Sequence, residues 1–263
     1  LPPRPEREAL VAALNGVLGD HLAATDNPLA IPMTMRVGGR PLTLARQGLR
    51  QRLPAATPRL LLQIHGLCMN DLQWRRDGHD HGEALAREAG FTAVHLHYNT
   101  GLSISTNGRI LVPLLERLVE AWPVPPERLA LLGHSMGGLV ARSALHHGAL
   151  VQREAPRWPA RVTDLVCLGT PHRGAPLEKA GHGVELLLGA APYAGPLARL
   201  GRLRSAGIQD LRVGRVTGGG PAEETGVAPD PVPLPAHVRC FALAGCLGAG
   251  TRSAKARLLG DGL

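Results

Sequence analysis

The sequence predicts an α/β fold in which helices cover both faces of a mostly parallel sheet. From residue 59 onward, short apolar runs alternate with segments whose apolar residues recur at helical spacing. The run RLLLQIH at 59–65 is almost continuously apolar, which is typical of a strand buried on both faces. Because repeated strand–helix units place consecutive strands in parallel, we expect the functional site at the carboxyl ends of the strands.

The order of elements after residue 59 follows from these patterns and from the glycines and prolines that interrupt them. The predicted strands are 59–65, 91–98, 128–133 and 161–168, with a late core strand at 237–244. The predicted helices are 79–89, 105–122 and 136–148. Residues 177 to about 213 are helix-like but poorly patterned, and 213–236 are rich in glycine and proline.

The first 58 residues are predicted to form a helix and a hairpin that pack on this core. Gly38-Gly39 separates two short strand-like segments, as in a hairpin turn. Residues 46–58 are predicted to be a basic connector that ends in proline. The helix before the hairpin carries its apolar residues on one face, namely Leu10, Val11, Leu14, Val17 and Leu18.

Charge and length restrict the partners of the chain. The 263 residues suit one large domain, and the formal net charge is +8. Only Lys179 and Lys255 are lysines, and the arginines are scattered without a binding motif, so no nucleic-acid partner is predicted. No apolar stretch reaches the length of about 18 residues that a membrane span requires. A transient contact with an anionic membrane surface stays open.

Cysteine usage favours a cytoplasmic protein with reduced thiols. The four cysteines show no C-x-x-C pattern, and Cys240 and Cys246 would pair only if a turn brought them together. The chain begins at Leu1 rather than Met, so its lack of a signal peptide excludes little.

The strongest chemical signal is the pentapeptide Gly133-His134-Ser135-Met136-Gly137, which has the G-x-S-x-G pattern of a nucleophile elbow. An apolar strand precedes it and a helix follows. Gly133 and Gly137 flank the serine where a Cβ would collide as strand and helix pack closely. The free N–H groups at the start of the helix favour negative charge on a bound carbonyl oxygen. The pattern therefore predicts Ser135 as a nucleophile.

A second signal lies at the end of the first core strand, at Ile64–Cys68. In α/β-hydrolases such a loop gives one amide to the oxyanion hole, and the residue after the nucleophile gives the other. The predicted donors are therefore the backbone amides of Leu67 and Met136. His65 is predicted to hold the shape of this loop through hydrogen bonds rather than to act as a base.

Three segments in this order resemble lipase-type α/β-hydrolases: HGL at 65–67, GHSMGG at 133–138 and GTPHRGAP at 169–176. The similarity extends over residues 59–263 and is greatest to bacterial PGAP1-like proteins, named for a GPI inositol-deacylase, and to triacylglycerol lipases. Residues 98–101 and 205–208 also resemble that group. The resemblance implies an α/β-hydrolase fold, a partly helical cap inserted at about 177–236 and an ester or lipid substrate.

The resemblance also implies that an aspartate and then a histidine follow the nucleophilic serine. Gly260-Asp261-Gly262-Leu263 is similar to a D-G-L-V motif of the family, which makes Asp261 the expected acid. The remaining aspartates lie within a strand or within the insertion, namely Asp164, Asp210 and Asp230.

No histidine fits the remaining position in this order, because all twelve precede Asp261. Those near the elbow, in the insertion or on the following helix are expected to be structural, namely His134, His146, His147, His172 and His182. We therefore expect a chain truncated at its C-terminus, with the catalytic histidine beyond Leu263.

No metal or cofactor is predicted. His79-Asp80-His81 has ligand chemistry, but it lies at a predicted helix start, where an aspartate serves as a cap. The favoured function is serine-dependent hydrolysis of carboxylic esters. Two alternatives remain: a non-catalytic binding protein of the same fold, and a thioesterase or acyltransferase that uses the same serine. Oligomeric state is not indicated.

Overall fold

The computed structural model describes residues 4–151, 158–174, 205–218 and 232–244. Its strands are β1 (Thr34–Val37), β2 (Arg40–Pro41), β3 (Arg59–Ile64), β4 (Thr92–His97), β5 (Arg128–His134), β6 (Val162–Leu168) and β7 (Arg239–Leu243). Its helices are α1 (Pro5–Ala24), α2 (Arg46–Arg52), α3 (His81–Ala89), α4 (Ile104–Ala121), α5 (Met136–Leu150) and α6 (Ala206–Val213). Short 3-10 turns occupy Asp71–Trp74 and Pro159–Arg161.

The seven strands form one sheet in the order β2-β1-β4-β3-β5-β6-β7. Strands β3 to β7 run parallel, whereas the β1–β2 hairpin is antiparallel and joins the sheet through β4. The predicted mostly parallel sheet is therefore confirmed. Because these strands are parallel, the segments that follow β3, β4, β5 and β6 all lie at the carboxyl ends of the strands.

Helices cover both faces of the sheet, as predicted. On one face, Leu61 of β3 and Leu132 of β5 belong to an apolar cluster against which Leu85 and Ala89 of α3 pack. On the other face, alternate residues of β3 share a larger core with α4 and α5. This division follows from the period-two alternation of side chains along a strand.

The N-terminal helix packs through a face that only partly matches the prediction: Val17 is buried in the core and Leu18 packs against it, as expected. Leu10 is 51% exposed, and the buried residues are mostly small. A Cβ added at Gly16 would collide with Cys68, and one at Gly19 would collide with Asn99. Because the helix backbone comes this close to the loops after β3 and β4, larger side chains do not fit at these two positions.

Two further expectations need correction. The predicted connector at 46–58 contains α2, whose Leu49 is fully buried in the core. The late strand exists as β7, but it is not a core strand: its five residues are exposed, with Phe241 at 47% and Leu243 at 54%. It extends one edge of the described sheet.

Most of the predicted cap at 177–236 lies outside the described residues. Within it, α6 is described, and Ile208, Leu211 and Val216 are buried in the main core. This part of the insertion is therefore built into the domain rather than laid over it. No helix in the described ranges is long and apolar enough to cross a membrane.

Candidate active site

Ser135 lies at a sharp turn between the end of β5 and the first residue of α5. Its backbone has φ 50° and ψ −121°, a conformation that is costly for a residue with a Cβ. The turn is fixed on both sides, because the Ser135 amide donates to the Leu168 carbonyl at 2.8 Å and the Gly138 amide donates to the Ser135 carbonyl at 3.1 Å. This is the strand–turn–helix geometry that the G-x-S-x-G pattern predicts.

The glycines of the elbow are required by close backbone contacts. A Cβ on Gly133 would collide with the backbone of Gly138, and one on Gly137 would collide with the Ile64 carbonyl oxygen. A Cβ on Gly138 would likewise collide with the side chain of Thr170. The predicted steric role of Gly133 and Gly137 is thus confirmed, and β3, β5 and β6 all converge on the serine.

The loop after β3 lies directly against the elbow. A Cβ on Gly66 would stand 3.2 Å from the Ser135 Cβ. Among the described residues, no hydrogen-bond acceptor is recorded for the amides of Leu67 and Met136. Met136 opens α5, where helical geometry leaves its N–H without a partner inside the helix. Met136 directly follows Ser135 and Leu67 directly follows Gly66, so both amides predicted as oxyanion donors belong to the two segments that meet here.

His65 is a structural residue of this loop. It is fully buried, its ring stacks on Tyr98 with centroids 4.5 Å apart, and its Nδ1 lies 3.0 Å from the Gly66 carbonyl oxygen. Burial lowers the pKa of His65 to about 3. Because a carbonyl only accepts, Nδ1 carries the proton of the neutral ring, and His65 holds the loop as predicted.

Three other described histidines, His172, His147 and His134, each contact another side chain. His172 Nδ1 lies 3.1 Å from the Arg142 guanidinium, and burial together with that positive charge lowers the pKa of His172. His147 Nε2 lies 3.1 Å from Ser105 Oγ, and the His134 ring meets Trp74 edge-on. Within the described residues, no hydrogen bond is recorded for the Ser135 hydroxyl. His182 lies outside them.

The two candidate aspartates within the described residues, Asp164 and Asp210, have structural partners. Asp164 is bound by Arg128 and Arg239 near the amino end of β6, at the opposite end of that strand from the elbow. Asp210 accepts from the Ile104 amide at 2.9 Å, and its burial raises the pKa of the carboxyl. Asp261, the expected acid, lies outside the described residues, as does Asp230.

The His79-Asp80-His81 segment forms a helix cap, as predicted. Asp80 accepts from the Gly82 amide at 2.7 Å and from the Glu83 amide at 3.1 Å. Burial alone would raise the pKa of Asp80, but these bonds and the His95 ring, 3.7 Å away, lower it to about 2. The described residues contain no group of three possible ligands suited to a metal ion.

Cys68, Cys167 and Cys240 are free thiols. Cys246, the other half of the pair left open by the sequence, lies outside the described residues. Burial raises the pKa of the Cys68 thiol to about 12, which makes it unreactive.

Sequence reasoning missed a partly buried cluster of charged residues that joins α1, β1, β4 and the 3-10 turn at Asp71–Trp74. Arg36 on β1 binds Glu8 of α1 at 3.0 Å and Asp71 at 3.2 Å, and Asp71 lies 3.2 Å from His97 Nδ1. Burial would raise the pKa of Asp71, but His97 and Arg36 lower it. The alternating polar residues of β4, which include His95 and His97, are the signal that marks this polar patch of the sheet.

One family description matches the chain. The sequence model described as PGAP1-like alpha/beta domain matches residues 57–219. That range begins just before β3 and ends beyond α6, so it contains the elbow and the loop beside it. No curated protein matches the chain.

Several solved structures are similar in fold. The mature form of Bacillus licheniformis lipase BlEst2 is 20% identical, with 88% of this chain and 80% of that chain covered and a TM-score of 0.49. Its propeptide form is 22% identical, with 74% of this chain and 37% of that chain covered and a TM-score of 0.49. Pyrococcus furiosus esterase PF2001 is 16% identical, with 61% of this chain and 56% of that chain covered and a TM-score of 0.40. Likeness at this level does not carry an activity over to this chain.

Proposed function

The chain belongs to the PGAP1-like alpha/beta domain family and has an α/β-hydrolase fold, and we propose that it hydrolyses carboxylic esters through Ser135. One observation carries the proposal. The backbone of Ser135 is held in a strained turn, and the amides of Leu67 and Met136, which have no recorded acceptor among the described residues, belong to the two segments that meet at this turn. Strain of this kind persists where the surrounding structure enforces it, often because the site needs it.

The proposed reaction has two steps. Ser135 Oγ attacks the ester carbonyl carbon, the hydroxyl proton passes to a histidine base, and the alcohol leaves with a proton returned by that base. Water then attacks the acyl-serine and releases the carboxylic acid. The Leu67 and Met136 amides hold the negative oxygen in both steps, and each such donor is typically worth about 3–4 kcal/mol. Asp261 is proposed to orient the base.

The favoured substrates are lipid esters or other acyl esters. Nitrophenyl esters with acetyl, butyryl, octanoyl and palmitoyl groups test this class with the protein made from its full reading frame. We expect turnover by the wild type and a loss of at least about 10³-fold in Ser135→Ala. Ser143→Ala is the matched control, because Ser143 is buried in the middle of α5.

The alternatives give different outcomes in the same assay. Turnover of acyl thioesters without turnover of oxygen esters would identify a thioesterase, and transfer of the acyl group to an alcohol an acyltransferase. A folded wild type that turns over no acyl substrate would indicate a binding protein.

A further inference from the structure

The four residues after β4, Tyr98–Gly101, hold the loop that carries Leu67. The Tyr98 hydroxyl donates to the His65 carbonyl at 2.7 Å, on one side of Gly66-Leu67. Thr100 Oγ1 accepts from the Cys68 amide at 3.2 Å, on the other side. One short segment therefore fixes both ends of the proposed oxyanion loop.

The Cys68 end of the loop needs this support. Cys68 has φ 58°, in the left-handed region, and the Met69 amide closes the turn by donating to the Gly66 carbonyl at 3.3 Å. Cys68 and Thr100 are both about 1% exposed. Without the threonine hydroxyl, a buried amide would lose its partner in a turn that is already strained, so the turn would rearrange. The adjacent Leu67 amide would then change direction.

The segment itself is fixed by two other elements. The Asn99 side chain donates to the Gly19 carbonyl of α1 at 2.8 Å, and the Gly207 amide at the start of α6 donates to the Gly101 carbonyl at 3.0 Å. A Cβ on Gly207 would collide with the Thr100 carbonyl. The two segments that the sequence left without a mechanism, 98–101 and 205–208, thus meet at one joint behind the loop.

We propose that Thr100 is a positioning residue for the oxyanion hole. Through the Cys68 amide, its hydroxyl fixes the direction in which the Leu67 amide faces the carbonyl oxygen of a substrate on Ser135. The inference rests on the proposed ester hydrolysis. Thr100 is the informative position because, among the described residues, the Cys68 amide is the one hydrogen-bond partner recorded for its hydroxyl, whereas Tyr98 also stacks on His65.

Four proteins test the inference: the wild type, Thr100→Val, Thr100→Ser and Thr163→Val. Thr100→Val keeps the shape but removes the acceptor, and Thr100→Ser keeps the acceptor. Thr163→Val is the matched control. Thr163 Oγ1 accepts from Arg128 Nε at 2.8 Å at the amino ends of β5 and β6, away from the elbow. The measurements are kcat and KM on a nitrophenyl ester, the Kd of an alkyl boronic acid that mimics the transition state, and the midpoint of thermal unfolding.

We expect Thr100→Val to lower kcat by about 10- to 100-fold, because a misdirected donor acts on the transition state rather than on substrate binding. KM should change by less than about 3-fold, and the boronic acid should bind more weakly by a factor close to the fall in kcat/KM. Thr100→Ser should restore kcat to within about 3-fold. Thr163→Val should lower the unfolding midpoint without lowering kcat.

The outcomes separate this inference from the function on which it rests. A wild type without turnover overturns both. A wild type with turnover and a Thr100→Val protein with the same kcat overturns the role of Thr100 alone. If Thr100→Val does not fold, Thr100→Cys replaces it, because a thiol accepts a hydrogen bond more weakly than a hydroxyl. A wild-type kcat in Thr100→Cys then overturns the inference, and a reduced kcat with weaker boronic acid binding supports it.

Discussion

Gly66 lies so close to Ser135 that a Cβ on Gly66 would stand 3.2 Å from the Ser135 Cβ and 3.0 Å from His134 Nδ1. These distances are tighter than ordinary van der Waals contact. The loop after β3 and the elbow after β5 therefore pack closely, with the His134 ring and the Ser135 Cβ directly beside Gly66. The relative position of Ser135 and the Leu67 amide depends on this contact.

Gly66→Ala should therefore impair catalysis more than stability. Gly66 does not have a positive φ, so alanine fits its backbone, but the new methyl group must push the loop away from the elbow by a few tenths of an ångström. We expect kcat on a nitrophenyl ester to fall by about 10-fold or more, with less than about 2 kcal/mol lost in unfolding free energy. Unchanged kcat would show that the loop position does not control the reaction.

Gly137→Ala should destabilise the whole domain. Its methyl group would collide with the Ile64 carbonyl oxygen and stand 2.8 Å from the His65 carbonyl oxygen, and neither backbone atom can move aside cheaply. We expect a loss of about 3 kcal/mol in urea unfolding. Gly218→Ala is the control, because its methyl group would meet only ordinary contacts, with Ser105 Oγ 3.4 Å away. Equal losses in both variants would contradict this account of the elbow.

Substitutions of Ser135 should separate backbone strain from chemistry. Glycine adopts positive φ without the steric cost that any Cβ incurs. The free energy of unfolding should therefore be about 1–2 kcal/mol larger for Ser135→Gly than for Ser135→Ala, although both variants lose the nucleophile. Chemical denaturation of the two proteins side by side measures the difference. An alanine variant at least as stable as the glycine variant would argue against a strained elbow.

His65 should make the stability of the protein sensitive to mild acid. The unfolded histidine binds a proton near its ordinary pKa of 6.5, whereas the folded one stays neutral down to about 3. Acid therefore favours the unfolded state over this interval, and stability is lost as the pH falls from 6.5 toward 3. For this single group the loss between pH 6.5 and pH 5 is about 2 kcal/mol.

His65→Asn removes this titration and keeps a side-chain donor for the Gly66 carbonyl. Urea unfolding at several pH values should show that the wild type loses its stability advantage over the variant as the pH falls from 6.5 to 5. Parallel curves for the two proteins would mean that His65 is not held neutral by burial.

The sequence predicted those parts of the fold and site that depend on local pattern. The elbow at Ser135 could be predicted because its glycines, strand and helix are consecutive in the chain. The parallel sheet followed from alternating apolar runs, and the Asp80 cap from its place at a helix start. In each case the residues that decide the structure are neighbours in sequence.

The remainder depended on contacts between distant residues. The inner face of α1 is set by how closely Gly16 approaches Cys68, and the spacing of its leucines carries no information about that distance. The bond between Thr100 and the Cys68 amide joins residues 32 positions apart, so the role of the 98–101 segment emerged only from the fold. Likewise, the apolar composition of β7 did not reveal that this strand is exposed at an edge of the described sheet.

The most direct test of the account is covalent labelling of Ser135 by a fluorophosphonate. This reagent reacts with an activated serine that has an oxyanion hole, and intact-mass analysis with peptide mapping locates the adduct. We expect the protein made from its full reading frame to gain one adduct, on the peptide that contains Ser135, and Ser135→Ala to gain none. Failure of the folded wild type to react, or an adduct that persists in Ser135→Ala, would contradict the assignment of Ser135 as the nucleophile.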